Sequence, residues 1–307
     1  MSKTKNRIIP DTLKKGDRIA IIATARKIYD ELLDPIENIL KGWGLIPVRG
    51  ANLFKEHNQF SGTDDQRRSD LQWAMDDPDI KAVLCFRGGY GTVRILDGLK
   101  CDKLCQNPKW FIGYSDVTAL HQFINTQANM ASIHGTMAIN FSENTPQAIA
   151  SLKTILLGQG TEIVFDANSN NTTGEVTAQV IGGNLAILQS LMGTPYEINT
   201  NGKILFIEDV DEYLYNIDRI MWTLKLSKKL DQLAGLIVGG MTEMNDHEIP
   251  FGASPIESII EKVSGFSYPV CFDFPAGHIK GNMSFPLGQM LNLKVTNEKV
   301  YLKSVVS

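Results

Sequence analysis

Between Arg18 and Asn125, apolar runs of strand length alternate with helix-like segments, and this alternation constrains the fold more than any other feature of the chain. Arg18–Thr24 reads as a buried strand, and Leu33–Gly42 as an amphipathic helix closed by glycine. Leu45–Val48 reads as a second strand, Asp64–Met75 as a second helix and Lys81–Phe86 as a third strand. Trp110–Gly113 is a short strand that runs directly into a helix predicted over Val117–Asn125. Strands separated by helices pair in parallel, with the helices packed on the sheet faces, so the expectation is an α/β protein with a layered parallel sheet.

The second half is mixed. Strands are predicted at Val176–Ile181, Lys203–Ile207, Leu233–Val238 and Pro269–Phe274, with helices at Leu185–Met192, Tyr213–Leu226 and Pro255–Val263. A hairpin-like Met290–Lys303 closes the chain. A length of 307 residues exceeds what one core usually holds. Asp166–Glu175 is polar, rich in small residues and without apolar periodicity, so the expected division is residues 1–165, a linker at 166–175, and residues 176–307.

Bulk properties exclude more than they assign. A net charge of -4 gives no electrostatic reason to expect a nucleic-acid partner. The opening residues are polar and basic, and the first apolar run, Ile19–Ala23, is too short for a signal-peptide core or a membrane span. The expectation is therefore a cytoplasmic protein with no membrane partner. Cys85 and Cys271 sit in apolar runs as buried thiols. Cys101 and Cys105 lack the second Cys or His pair that a zinc site needs, and no His-Glu-x-x-His sequence occurs, so no metal and no cofactor is expected.

Three motifs carry possible chemistry. Gly113-Tyr114-Ser115-Asp116 sits at a strand-to-helix junction, where a sharp turn would project the Ser115 hydroxyl and aim backbone N–H groups at whatever it attacks. Ser and Asp before an apolar helix also suit an N-cap, and Val117 stands where the α/β-hydrolase elbow has glycine. Arg87-Gly88-Gly89-Tyr90-Gly91 follows the third strand, and its glycines allow close backbone approach and unblocked N–H groups. It lacks the Lys-Ser/Thr ending of a phosphate-binding loop. Finally, Glu208 and His278 each follow an apolar strand-like run, and a serine nucleophile needs a histidine base oriented by a carboxylate. His57 and His247 lie among polar residues, while His121 and His134 compete with His278 for a place near Ser115.

In this order and spacing the motifs resemble the LD-carboxypeptidase family of serine peptidases. Further similarity lies in His134-Gly135, Gly182-Gly183-Asn184-Leu185 and Pro286-Leu287-Gly288, so the resemblance spans nearly the whole chain. It implies a Ser115–Glu208–His278 triad and an oxyanion hole from the backbone N–H groups of Gly89 and Asp116, with the donor glycine left open within the loop. It also implies a flavodoxin-like α/β domain joined to a smaller mixed β/α domain, a cleft between them, and a homodimer. The implied activity is release of terminal D-alanine from the murein tetrapeptide L-Ala-D-Glu-meso-diaminopimelate-D-Ala during cell-wall recycling. A related branch, the microcin C self-immunity proteins, cleaves a peptidyl-nucleotide and stacks its adenine on an aromatic side chain. No aromatic residue occurs from Asp166 to Glu175, which favours the murein peptide. A non-catalytic binding protein on the same scaffold would need a broken triad, and all three residues are present. A carboxypeptidase must also hold a free carboxylate. Arg87 is the nearest cation in sequence to the glycine loop and Arg94 the second, with Tyr90 a further substrate contact; the alternative for Arg87 is a structural ion pair beneath the loop.

Overall fold

The computed structural model describes residues 7–29 and 33–305. Its first sheet is built from β1 (Arg18–Ile22), β2 (Ile46–Arg49), β3 (Ile80–Cys85), β4 (Trp110–Gly113) and β5 (Ser132–His134), all parallel and in spatial order 2-1-3-4-5. That is the flavodoxin-like order. The helices α1 (Leu33–Gly42), α2 (Asp64–Asp76), α3 (Asp102–Gln106), α4 (Thr118–Gln127) and α5 (Pro146–Leu156) cover both faces. Alternation along β1 explains the layering. Ile19 and Ile21 pack with Leu33, Ile36 and Leu40 of α1 and Leu152 of α5, whereas Ala20 and Ile22 pack with Leu71 and Met75 of α2 and Leu120 of α4. The α2 start is fixed by a capping box between Thr63 and Gln66.

The later strands are β6 (Glu162–Asp166), β7 (Gly174–Asn184), β8 (Ile204–Val210), β9 (Gly235–Thr242), β10 (Val270–Cys271), β11 (Phe285–Leu287), β12 (Met290–Val295) and β13 (Lys299–Ser304). All but β11 form a second, mixed sheet in the order β10-β9-β8-β7-β12-β13-β6. β7 joins its two characters: residues 174–179 pair antiparallel with β12, and residues 180–184 pair parallel with β8. The helices α6 (Leu185–Ser190), α7 (Leu214–Leu226) and α8 (Pro255–Val263) cover one face of its parallel part.

Two features tie the halves together. Strand β11 leaves the second sheet and pairs antiparallel with β5, placing Phe285 opposite His134. Helix α4 is buried at every residue from Thr118 to Asn125, because it is wedged between the first sheet and the β7–α6 corner. The stretch 166–175, expected as a linker, connects β6 to β7 within the second sheet, and residues 162–166 pair with β13 there. Sheet membership thus divides the chain differently from position along it. Among the described residues no helix is long and apolar enough to cross a membrane.

Candidate active site

The site lies where the carboxyl ends of β3 and β4 meet those of β8 and β10. Ser115 stands at the end of β4 with φ of 61°, in the left-handed region that non-glycine residues rarely occupy. A single 3-10 turn, Ser115–Val117, then leads into α4. No side chain caps this turn; Asp116 instead turns inward, buried, and its carboxylate accepts the Thr92 N–H at 2.8 Å. Burial raises the pKa of Asp116, against the pull of those hydrogen bonds. The Asp116 bond ties the serine turn to the residue that follows the glycine loop. That loop comes so near that a Cβ at position 88 would lie 3.1 Å from Ser115 Oγ and 3.4 Å from the Asp116 nitrogen. A side chain there would have to push the loop or the serine turn back by a few tenths of an ångström, so glycine favours the approach. Among the described residues, the N–H groups of Gly89 and Asp116 find no acceptor.

Glu208 and His278 come from the other half. Glu208 is fully buried near the end of β8, and its Oε2 lies 2.7 Å from His278 Nδ1. A carboxylate can only accept, so Nδ1 carries the hydrogen and Nε2 presents its lone pair. Gly277, at φ of 109°, makes the close packing possible: a Cβ there would fall 2.8 Å from Glu208 Oε2. Burial of the His278 ring pulls its pKa down, but the Glu208 hydrogen bond and charge, aided by Asp209 and Glu243, outweigh it and leave the imidazole above its usual value.

β8 continues through Asp209 to Val210, so neighbouring side chains face opposite ways. Asp209 therefore accepts from Asn184 Nδ2 at 2.8 Å and from the Ala186 N–H at 2.9 Å, not from His278. Burial, reinforced by the Glu208 charge, pushes its pKa up to about 7. Asn184 also donates its backbone N–H to Thr118 Oγ1, three residues after Ser115, which fixes β7 against the serine turn.

The two halves meet at Tyr114, whose ring lies edge-on to the His278 ring at 4.9 Å between centroids. Ser115 is the next residue. Among the described residues its hydroxyl makes no hydrogen bond to His278, a separation that catalytic pairs without substrate often show. The His278 loop is anchored by Asn282 Oδ1, which accepts both the Gly277 N–H (2.9 Å) and His134 Nε2–H (3.1 Å). His121 and His134 are buried with no carboxylate beside them. Burial lowers their pKa values to about 4 and about 3, which holds them neutral. His57 and His247 are exposed.

Of the sequence candidates for substrate contact, Arg87 forms no ion pair among the described residues and reaches only the Lys27 carbonyl, at 3.4 Å. Arg94 is held by Asp64 through three hydrogen bonds of 2.7–3.0 Å. Tyr90 is exposed, with its ring 6.1 Å from that of Phe60. Among the described residues no group of three or more His, Cys, Asp or Glu side chains converges as a metal site. Sequence reasoning assigned no role to Asn184, Asn282 or Arg26, and weighed Asp209 only as the alternative to Glu208. Asn184 and Asp209 stood within the Gly182-Gly183-Asn184-Leu185 and Ile207-Glu208-Asp209 runs, and Asn282 and Arg26 within none.

Known proteins are similar to this chain in sequence and fold. A profile described as the LD-carboxypeptidase N-terminal domain matches residues 19–135, and one described as the LD-carboxypeptidase C-terminal domain matches residues 177–293. The chain belongs to the LD-carboxypeptidase family, a family of peptidases. It is 33% identical over 305 residues to the probable murein peptide carboxypeptidase of Bacillus subtilis, covering 97% of this chain and 95% of that one. The crystal structure of muramoyltetrapeptide carboxypeptidase from Oxalobacter formigenes superposes with a TM-score of 0.85 at 27% identity, covering 94% of this chain and 99% of the other. The microcin C7 self-immunity protein of Escherichia coli is 28% identical over 85% of this chain and 84% of its own length.

Proposed function

We propose that this protein is a serine-type LD-carboxypeptidase that removes the terminal D-alanine from murein tetrapeptide. The observation that carries this reading is the buried Glu208–His278 pair brought against the Ser115 turn. In the mechanism, His278 Nε2 takes the Ser115 proton as Oγ bonds to the scissile carbonyl carbon. The oxyanion is held by the N–H groups of Gly89 and Asp116, which have no other acceptor among the described residues. Collapse breaks the C–N bond, and the His278 proton goes to the departing D-alanine amine. Water then attacks the ester with the same base, restoring the serine and freeing the shortened peptide.

The murein substrate is supported by the names of the Bacillus subtilis and Oxalobacter formigenes proteins. A cytoplasmic recycling role and a homodimer belong to the same reading; light scattering of the purified protein tests the dimer. Incubation with L-Ala-D-Glu-meso-diaminopimelate-D-Ala should yield free D-alanine and the tripeptide by mass spectrometry, and an unchanged tetrapeptide overturns the proposal. The second reading, a peptidase acting on a peptidyl-nucleotide antibiotic, rests on the likeness to the microcin C7 self-immunity protein. The absence of any aromatic residue from Asp166 to Glu175 counts against it. Cleavage of an aminoacyl nucleotide in preference to the tetrapeptide would favour it.

A further inference from the structure

We propose that Arg26 and Arg87 together form the subsite for the terminal carboxylate of the substrate, an inference that rests on the carboxypeptidase reading above. Arg26 follows β1 and Arg87 follows β3. In a sheet ordered 2-1-3-4-5 the connections leave β1 and β3 on opposite faces, which opens a crevice at the carboxyl ends of these two strands. Both arginines adjoin the glycine loop at this end of the sheet, Arg26 against Gly89 and Arg87 as the residue before Gly88.

Their surroundings set them apart from the other cations nearby. Arg67 and Arg94 share Asp64. Neither Arg26 nor Arg87 has an ion-pair partner among the described residues, and the Arg87 Nε is buried with no hydrogen bond. The Arg26 side chain lies across Gly89: a Cβ at that glycine would come within 2.6 Å of Arg26 Cγ and Cδ and 2.8 Å of its Nε. Burial lowers the Arg87 pKa, and the neighbouring Arg26 charge lowers it further. Two like charges near each other, with no carboxylate paired to either among the described residues, are in a state that an incoming anion relieves.

Position makes that anion the substrate's own terminus. Between the scissile carbonyl and the terminal carboxylate of a peptide lie only an amide nitrogen and one α-carbon. A group that grips the carboxylate must therefore border the oxyanion donors, and Gly89 is both a proposed donor and the residue that Arg26 covers. The planar guanidinium fork suits bidentate pairing with a carboxylate. An amidated terminus, or a chain that continues, leaves both charges unpaired, so the subsite restricts cleavage to the last residue.

The test compares KM for the tetrapeptide and for its C-terminally amidated analogue in wild type, Arg26→Leu, Arg87→Leu and Arg26→Lys, with thermal melting as a check of folding. Each leucine variant should raise KM for the free acid by about 10-fold or more, the loss of one charge-assisted hydrogen-bonding group. KM for the amide should change little, and Arg26→Lys should recover part of the loss. Arg26 is exposed, so its variants remain informative if Arg87→Leu is unstable. Equal losses on acid and amide, or no loss on the acid, overturn the subsite while leaving the activity standing. A wild type that releases no D-alanine overturns the activity and the subsite with it.

Discussion

The first sheet and the second bring different kinds of chemistry to the same candidate site. At the ends of β3 and β4 the contribution is backbone: a serine held at φ of 61°, a glycine loop so near that a Cβ at Gly88 would lie 3.1 Å from its hydroxyl, and N–H groups without acceptors among the described residues. At the ends of β8 and β10 it is side-chain charge, a fully buried carboxylate bonded to an imidazole at 2.7 Å. Backbone dipoles act wherever turns aim them, so exposed loops can present them. A carboxylate strengthens a histidine most where water is excluded, and here Glu208 is buried within β8 while His278 reaches it from the loop after β10. The division teaches that the first half should govern whether a bond is cut and the second the pH at which it happens.

The largest effect is expected from Ser115→Ala. Turnover should fall by at least about 10³-fold with the melting temperature nearly unchanged. Near-normal D-alanine release from that variant removes Ser115 from the nucleophile role. Next come the adjacent carboxylates. Glu208→Gln should lower kcat by about 10²-fold or more, because the imidazolium loses its counter-charge. Asp209→Asn should act mainly on stability, through the Asn184 and Ala186 contacts. A larger kcat loss from Asp209→Asn than from Glu208→Gln would show that the wrong carboxylate has been assigned.

Gly88→Ala tests the backbone half. Its new methyl must displace either the loop or Ser115, so kcat should drop by about 10-fold or more while thermal stability changes less. The smallest expected effect is a shift in the pH profile. The base must be neutral, so kcat/KM should rise as pH climbs through the His278 pKa, with an acid limb above the about 6.5 of a free histidine. In Glu208→Gln the main raising influence is gone and burial remains, so the limb should move to lower pH. The same pair contributes stability below about pH 6.5 that is lost as pH rises through the folded pKa. An unmoved acid limb in Glu208→Gln would separate the profile from this pair.

The candidate residues could be picked out of the chain because each stands where an apolar run stops: Ser115 and His278 follow a strand, and Glu208 lies inside β8 near its end. The expected runs around Ser115, Glu208 and His278 all correspond to strand ends or the loop after one. Choosing among the five histidines was another matter. His121 and His134 also lie near Ser115, and what separates them from His278 is the absence of a carboxylate contact. Strands β5, β6 and β11 were missed; β5 and β11 have three residues each, too few to show a period. Arg26 carries no motif at all.

The sequence by itself determined the α/β alternation, the parallel character of the first sheet and the small set of polar groups from which a site could be drawn. Those properties follow from spacing along the chain: apolar period, glycine at turns, a polar residue after a buried run. Tertiary structure alone decided that β11 returns to pair with β5, that residues 162–166 join the second sheet, and that Glu208 meets His278 while Asp209 meets Asn184. Each depends on contacts between residues far apart in sequence, where strand register and packing set which side chain faces which. Local spacing carries no record of that partner.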